Sequence, residues 1–314
     1  MRTRPLGKTG LRVSDFALGT WGLSGEAYGP VSLEDRTRVV HRAIDLGVNL
    51  IDTSDAYGAG AIELELGKML DGRSDVYVCT RGGVDRSTQP GRKHFEREYL
   101  ERAVERSLKR LGRESIDVYL LHNPSLDAIA SGEATMLMDD LVKAGKVVTW
   151  GVSVGTEAIG RAAIDAGAKV ISVGYNMLHS VDLHRLSGDV MVSGVGVLAH
   201  HVLAYGLLSG AWEKERTFPE EDHRSRRWTQ EGLARRIEQV ESLRFLVRGD
   251  VASMRAAAVR FVLANNLVSS AIVGPKTIAQ LEQLVREVGA GPVYLRDDAL
   301  SELPRVLERV GVDT

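Results

Sequence analysis

Cysteine is almost absent from the 314 residues: Cys79 stands alone, so no intramolecular disulfide can form and a reducing compartment is implied. Proline is scarce, with 8 residues, and aromatic residues make up only 5%, so the core must be built largely from aliphatic side chains. No run of about 18 apolar residues occurs, which excludes a hydrophobic membrane-spanning helix. Charge of one sign is not in excess: 40 Lys and Arg against 42 Asp and Glu leave −2, which gives no global attraction for nucleic acid or an anionic membrane. The start, MRTRPLGKTG, lacks the apolar stretch of a secretory leader, and a cytoplasmic location is expected. There is no low-complexity segment and no fixed-period repeat. No GxGxxG follows the first apolar run, which argues against a doubly wound dinucleotide-binding sheet, the alternative fold.

What is present is an alternation of short β-branched runs with longer amphipathic stretches. The runs are Phe16 to Gly19, Val48 to Ile51, Val76 to Cys79, Ile116 to Leu121, Val147 to Val152, Val170 to Val173, Val195 to Ala199 and Ser270 to Val273. Between them lie predicted helices: one opening at the N-cap signal Ser32, then Glu63 to Leu70, Phe95 to Leu111, one ending before Gly145, Thr156 to Ala166, a short one after Asp182, Met254 to Ala264 and Ile278 to Val288. In the third, Leu100, Val104, Leu108 and Leu111 form a helical stripe, with Glu98–Arg102 and Glu105–Lys109 spaced for ion pairs on the wet side. About eight strand–helix pairs close a (β/α)8 TIM barrel. One domain is expected across residues 1–314, with a further helix through Leu300, Leu303 and Leu307 packed outside. The charged stretch Trp212 to Gly249 reads either as a solvated loop and helix on the barrel's top face or as a loop that partly covers a ligand.

Barrel chemistry sits at the C-terminal ends of the strands. The second run ends at Asp52, with Tyr57 shortly after; the third leads to Arg81 and the fourth to His122. Each residue alone has a structural explanation as a turn, cap or surface-pair residue. Their order at successive strand ends favours one site. A cation and an imidazole beside a phenol are expected to lower its pKa and suit it to protonate a carbonyl oxygen, with Asp52 holding the cation through a possible bidentate bond. Trp21, in GTWG, is expected to line the substrate pocket. Cys79 is expected to be an inert buried thiol. The adjacent His200 and His201 should point to opposite faces of a strand, and no metal site is expected.

Several segments carry a family resemblance over essentially the whole chain: RPLGKTGLRVSDFALGTWG, GVNLIDTSDAYGAGAIELELGKML, YLLHNP, GKVVTWGVS, GLLSG and AVRFVLANNLVSSAIVG. On these motifs the sequence resembles the aldo-keto reductases. The resemblance implies a barrel preceded by a small β-hairpin, NADPH as cofactor, and reversible hydride transfer between nicotinamide and the carbonyl or alcohol of a small molecule. It implies Asp52 as orienting acid, Tyr57 as general acid and His122 as the group that orients the carbonyl; Arg81 stands where the family has lysine. Thr20, Trp21, Asp52, Ser153, Ser172, His200, Leu203 and Gly274 fall at positions beside the cofactor, and Lys276, Thr277 and Gln280 at the adenosine phosphate and ribose. The departures cluster at the nicotinamide end: Val154 replaces the usual asparagine, Ser172 a glutamine, and His200 and His201 an aromatic residue and a serine. Leu284 replaces an asparagine at the adenosine end. Two other readings follow from these changes, a non-redox proton-transfer enzyme such as a dehydratase, lyase or epimerase, and a nucleotide-binding regulatory protein.

Overall fold

The computed structural model describes residues 1–86, 91–288 and 294–313. The first two strands, β1 (Thr3–Pro5) and β2 (Arg12–Ser14), pair as an antiparallel hairpin. Barrel strands follow in β3 (Phe16–Gly19), β4 (Leu50–Asp52) and β5 (Tyr77–Gly82); a short hairpin, β6 (Val84–Asp85) with β7 (Arg92–Lys93), leaves the mouth after β5. The series continues with β8 (Ile116–His122), β9 (Val147–Val154), β10 (Val170–Gly174), β11 (Gly196–His200) and β12 (Val268–Val273), which pairs with β3 and closes an eight-stranded parallel barrel. This is the (β/α)8 architecture expected from the alternation, and the N-terminal hairpin is in place.

Side chains alternate across each strand and so feed two cores. Ala17, Leu50, Cys79, Val118, Leu120 and Leu198 fill the barrel interior, and Leu6 and Val13 of the hairpin region join them. Phe16, Leu18, Ile51, Val78 and Leu121 belong to the larger core that packs with the helices. Burial raises the Cys79 thiol pKa well above its ordinary value, so this residue is the inert thiol expected.

The helices are α1 (Leu33–Asp45), α2 (Ala61–Met69), α3 (Arg97–Leu111), α4 (Leu126–Ala130), α5 (Glu133–Lys143) and α6 (Glu157–Asp165). They continue with α7 (Val181–Arg185), α8 (Ser187–Ser193), α9 (Gln230–Glu241), α10 (Met254–Ala264), α11 (Ile278–Val288) and α12 (Asp297–Arg309). The Ser32 hydroxyl accepts the Asp35 N–H at 3.0 Å and caps α1 as the sequence signals. The apolar stripe of α3 is buried, and Glu98 pairs with Arg102 at 2.5 Å. Glu105 departs from expectation by bonding Lys146, ahead of β9, instead of Lys109. In α12, Leu303 and Leu307 are buried and Leu300 lies at the edge.

Strand limits move most where the site lies. The run Val48–Ile51 enters the ladder only at Leu50, and three strands extend past their apolar runs to include Asp52, Arg81 and His122. Arg81 is paired with Leu120 and His122 with Ser153, so hydrogen-bonded backbone holds these polar side chains where a hydropathy pattern ends the strand early. Gly60 adopts φ +92°, and a Cβ there would fall 2.2 Å from the Arg110 guanidinium, which reaches Glu63.

Candidate active site

Asp52, Arg81, His122 and Ser153 come from four neighbouring strands, β4, β5, β8 and β9, and point to one mouth. Arg81 Nη2 donates to Asp52 Oδ1 while Nη1 donates to Ser153 Oγ at 3.3 Å. The fork is therefore divided between two partners, a correction to the bidentate pairing considered from sequence: Asp52 and Ser153 lie on either side of the guanidinium and each takes one arm. Arg81 Nε is buried with no partner among the described residues. The backbone of Asp52 is fixed from the other side, its carbonyl accepting the Thr20 N–H at 2.9 Å and the Thr20 hydroxyl at 3.0 Å.

Tyr57 sits on a turn of 3-10 helix, Tyr57–Gly60, directly ahead of α2. Its hydroxyl makes no hydrogen bond among the described residues. Ser54, three residues before it, lies 3.3 Å from His122 Nδ1 and 3.2 Å from the Arg81 carbonyl, and its one hydroxyl proton serves either acceptor. This leaves Nε2 as the imidazole nitrogen without a partner among the described residues. Ser54 was not singled out in the sequence, although its place between Asp52 and Tyr57 in IDTSDAYG was a usable signal.

The electrostatics differ from the expectation of a depressed phenol. Burial raises the Tyr57 pKa, and the opposing pull of Arg81 does not offset it. Arg81 is itself neutralised by Asp52, and the same pairing holds the guanidinium protonated against burial, its pKa raised. His122 supplies no charge: burial and the cations Arg81 and Lys93 push its pKa down to about 3. The site thus holds a protonated phenol and a neutral imidazole over a buried ion pair. Behind it, burial and the neighbouring Glu63 raise the Asp55 carboxyl to about 7.

Ser172 and His200 lie side by side on β10 and β11, with Ser172 Oγ and His200 Nδ1 3.0 Å apart. His200 is kept neutral by burial, its pKa lowered well below normal. His201 does not turn to the opposite face. Its φ is +56°, the strand has ended at His200, and the two rings meet edge to face with centroids 4.4 Å apart. The alternation rule fails because His201 is no longer in extended backbone. No grouping suited to a metal ion occurs among the described residues.

Trp21 is half-buried at the mouth, with ring centroids 4.8 Å from His223 and 5.5 Å from Tyr28. The stretch after Trp212 is largely exposed and carries α9, as the solvated reading expects, but it is anchored to the rim: Trp212, Phe218 and, from the loop after β3, Tyr28 surround the Arg224 guanidinium, which Asp222 holds by a hydrogen bond of 2.5 Å. The segment also reaches the loop after β3, where His223 N–H donates to the Ala27 carbonyl at 3.0 Å. Lys276, after β12, fixes the same loop by donating from Nζ to the Tyr28 carbonyl at 2.6 Å. Thr277 Oγ1 accepts the Gln280 N–H at 3.2 Å, and Gln280 Oε1 accepts the Lys276 N–H at 2.8 Å, a local cap at the start of α11. Gly274 lies close to the loop after β3: a Cβ at Gly22 would fall 3.3 Å from its carbonyl oxygen. Tyr28, Asp222 and His223 were not found from the sequence, because their contact joins loops about two hundred residues apart.

A parallel barrel with a tyrosine, an ion pair and an imidazole at its mouth defines the class; comparison with known proteins defines the family. The sequence profile of the Aldo/keto reductase family matches residues 15–297, and the chain belongs to that family. An NADP(+) aldo-keto reductase of Schizosaccharomyces pombe is 28% identical, the match covering 99% of this chain and 92% of that protein. An L-galactose dehydrogenase of Arabidopsis thaliana is 28% identical over 98% of this chain and 94% of its own. Among solved structures, a glycerol dehydrogenase of Gluconobacter oxydans superposes with a TM-score of 0.86 at 26% identity, covering 99% of this chain and 97% of its own. No helix among the described residues is long and apolar enough to cross a membrane.

Proposed function

We propose that this protein is an NADPH-dependent oxidoreductase that interconverts a carbonyl and an alcohol on a small molecule, with Tyr57 as proton donor. The observation that carries the reading is the juxtaposition of a protonated Tyr57 phenol and neutral His122 with the Asp52–Arg81 pair at the C-terminal mouth of the barrel. Family membership and the reductase and dehydrogenase names of the relatives support the same class.

The residues present fit the cofactor by the chemistry of their donors. Ser153 Oγ accepts from Arg81, so its own O–H remains to donate to a carboxamide oxygen. Ser172 lies one strand further round and His200 two. The Leu203 N–H closes onto no backbone carbonyl among the described residues, at a turn where Ala204, Tyr205 and Gly206 all have positive φ, an arrangement suited to an anion. Lys276, Thr277 and Gln280 would hold the adenosine phosphate end. When bound, the nicotinamide supplies the hydride in reduction and takes it in oxidation. Tyr57 then donates its proton to the carbonyl oxygen, and its raised pKa keeps the proton in place until that oxygen becomes basic. With the Ser54 proton donated to Nδ1, neutral His122 carries its own proton on Nε2 and donates it to the same oxygen. Arg81 holds Asp52 and Ser153 in register, its own charge balanced by Asp52.

A second reading, proton transfer without hydride, is favoured by one observation: both serine hydroxyls at the nicotinamide end already contact protein side chains, Arg81 and His200. Titration with NADPH and NADH, followed by protein and cofactor fluorescence, separates the two. NADPH-selective binding with oxidation of NADPH by an aldehyde supports the first; absence of binding by either nucleotide overturns it and leaves the second.

A further inference from the structure

Three arginines cluster in the segment after β11, and their pairing differs. Arg224 bonds Asp222 at 2.5 Å and Arg226 lies 3.7 Å from Glu220. Arg227 has no ion pair among the described residues, and its guanidinium carbon lies 3.4 Å from the centre of the Tyr205 ring. That ring is held at the mouth by an uncommon backbone: Tyr205 has φ +63° and follows Ala204 at φ +45°. Its hydroxyl lies 3.3 Å from His201 Nδ1, and its ring lies within 6.3 Å of Trp21. Arg227 also lowers the pKa of both His201 and His223, so its charge is felt inside the mouth.

The acids that face this region already have partners: Asp52 pairs with Arg81 and Asp222 with Arg224, while Asp182 accepts the Glu157 N–H at 3.0 Å and lies 3.2 Å from the His179 ring. A guanidinium stacked on an aromatic ring is oriented before any ligand arrives, and its free edge suits the paired oxygens of a phosphate or carboxylate.

We propose that Arg227 is an anion-binding residue of this mouth, taking a phosphate or carboxylate oxygen of the bound ligand. The inference rests on the oxidoreductase reading for the identity of that ligand, since the anion belongs either to the cofactor phosphates or to an acidic substrate.

The test compares wild type with Arg227→Gln, and uses Arg226→Gln as a neighbour that removes the same charge from a paired position. NADPH affinity is measured by fluorescence titration, and KM is measured for 4-carboxybenzaldehyde and benzaldehyde at saturating NADPH. Loss of a charge-assisted bond predicts a change of about tenfold in Arg227→Gln. A weaker NADPH Kd identifies the cofactor phosphates; a raised KM for 4-carboxybenzaldehyde with benzaldehyde unchanged identifies an acidic substrate; either outcome supports the proposal. Values within about twofold of wild type, or equal losses in Arg226→Gln, overturn it. If wild type neither binds NADPH nor reduces either aldehyde, the oxidoreductase reading fails and Arg227 is judged by inorganic pyrophosphate binding, followed by tryptophan fluorescence. Binding lost selectively in Arg227→Gln then upholds the anion site, and equal or absent binding in wild type overturns it. Circular dichroism melts of each variant check that the fold is kept.

Discussion

Arg81 Nη1 donates to the hydroxyl of Ser153 at 3.3 Å, spanning from β5 to β9 across the intervening β8. A lysine at this position has one ammonium group, whereas the fork of Arg81 contacts Asp52 and Ser153 together. Arg81 is therefore both the counter-ion of Asp52 and a tie from β4 to β9. Removing the charge with Arg81→Met leaves Asp52 buried and unpaired, and a loss of about 3–5 kcal/mol in unfolding free energy is expected by urea denaturation. Arg81→Lys retains the pair and should lose much less.

Tyr57→Phe removes the proposed proton donor and leaves the ion pair below it intact. Turnover of an aldehyde is expected to fall by a factor of about 100–10,000, with NADPH affinity nearly unchanged, in steady-state assays and fluorescence titrations. Unchanged turnover would remove Tyr57 from the mechanism.

Ser54→Ala releases His122 Nδ1 without touching the proposed reacting atoms. The hydroxyl also accepts the Ala56 N–H at 3.1 Å, so the turn that leads to Tyr57 loses a contact as well. The expected result is a lower kcat, partly restored by Ser54→Thr, since threonine keeps the hydroxyl. Equal kcat in Ser54→Ala and wild type would show that His122 does not depend on this bond.

Two buried groups give opposite pH dependences. The folded-state pKa of His122 is lowered to about 3, so the unfolded chain binds the extra proton first and stability from this residue falls as pH drops from about 6.5 to about 3. The carboxyl of Asp55 is raised to about 7, so its protonated form is favoured in the fold and stability is lost as pH rises from about 4 to about 7. Asp55→Asn should therefore be more stable than wild type at pH 7 and above and should flatten that slope, while His122→Gln should flatten the acid limb. Urea midpoints measured across pH 4 to 8 check both directions.

Lys276→Ala tests the adenosine end. The variant loses the bond to the Tyr28 carbonyl and the charge assigned to the 2′-phosphate. NADPH affinity should fall about tenfold or more while NADH affinity changes little, by fluorescence titration. Equal loss for both nucleotides would assign Lys276 to holding the loop after β3 and would remove the 2′-phosphate role.

The sequence alone determined the barrel. Eight apolar runs alternate with helical stripes, and a parallel sheet buried on both faces requires that pattern, so the order of Asp52, Arg81 and His122 at successive strand ends was legible. The cap at Ser32 and the stripe of α3 were legible for the same reason: each depends on residues within a few positions of one another.

Tertiary structure decided what those residues do to each other. Whether Arg81 gives both arms to Asp52 or one to Ser153 depends on the spacing of β4, β5 and β9, which periodicity does not record. The phenol of Tyr57 is shifted up, not down, because desolvation scales with burial and the nearby positive charge is already neutralised. His201 stays beside His200 because one positive φ ends the strand alternation. The contact of Asp222 and His223 with the loop around Tyr28 arises only when chain closure brings the ends of β3, β11 and β12 to the same rim.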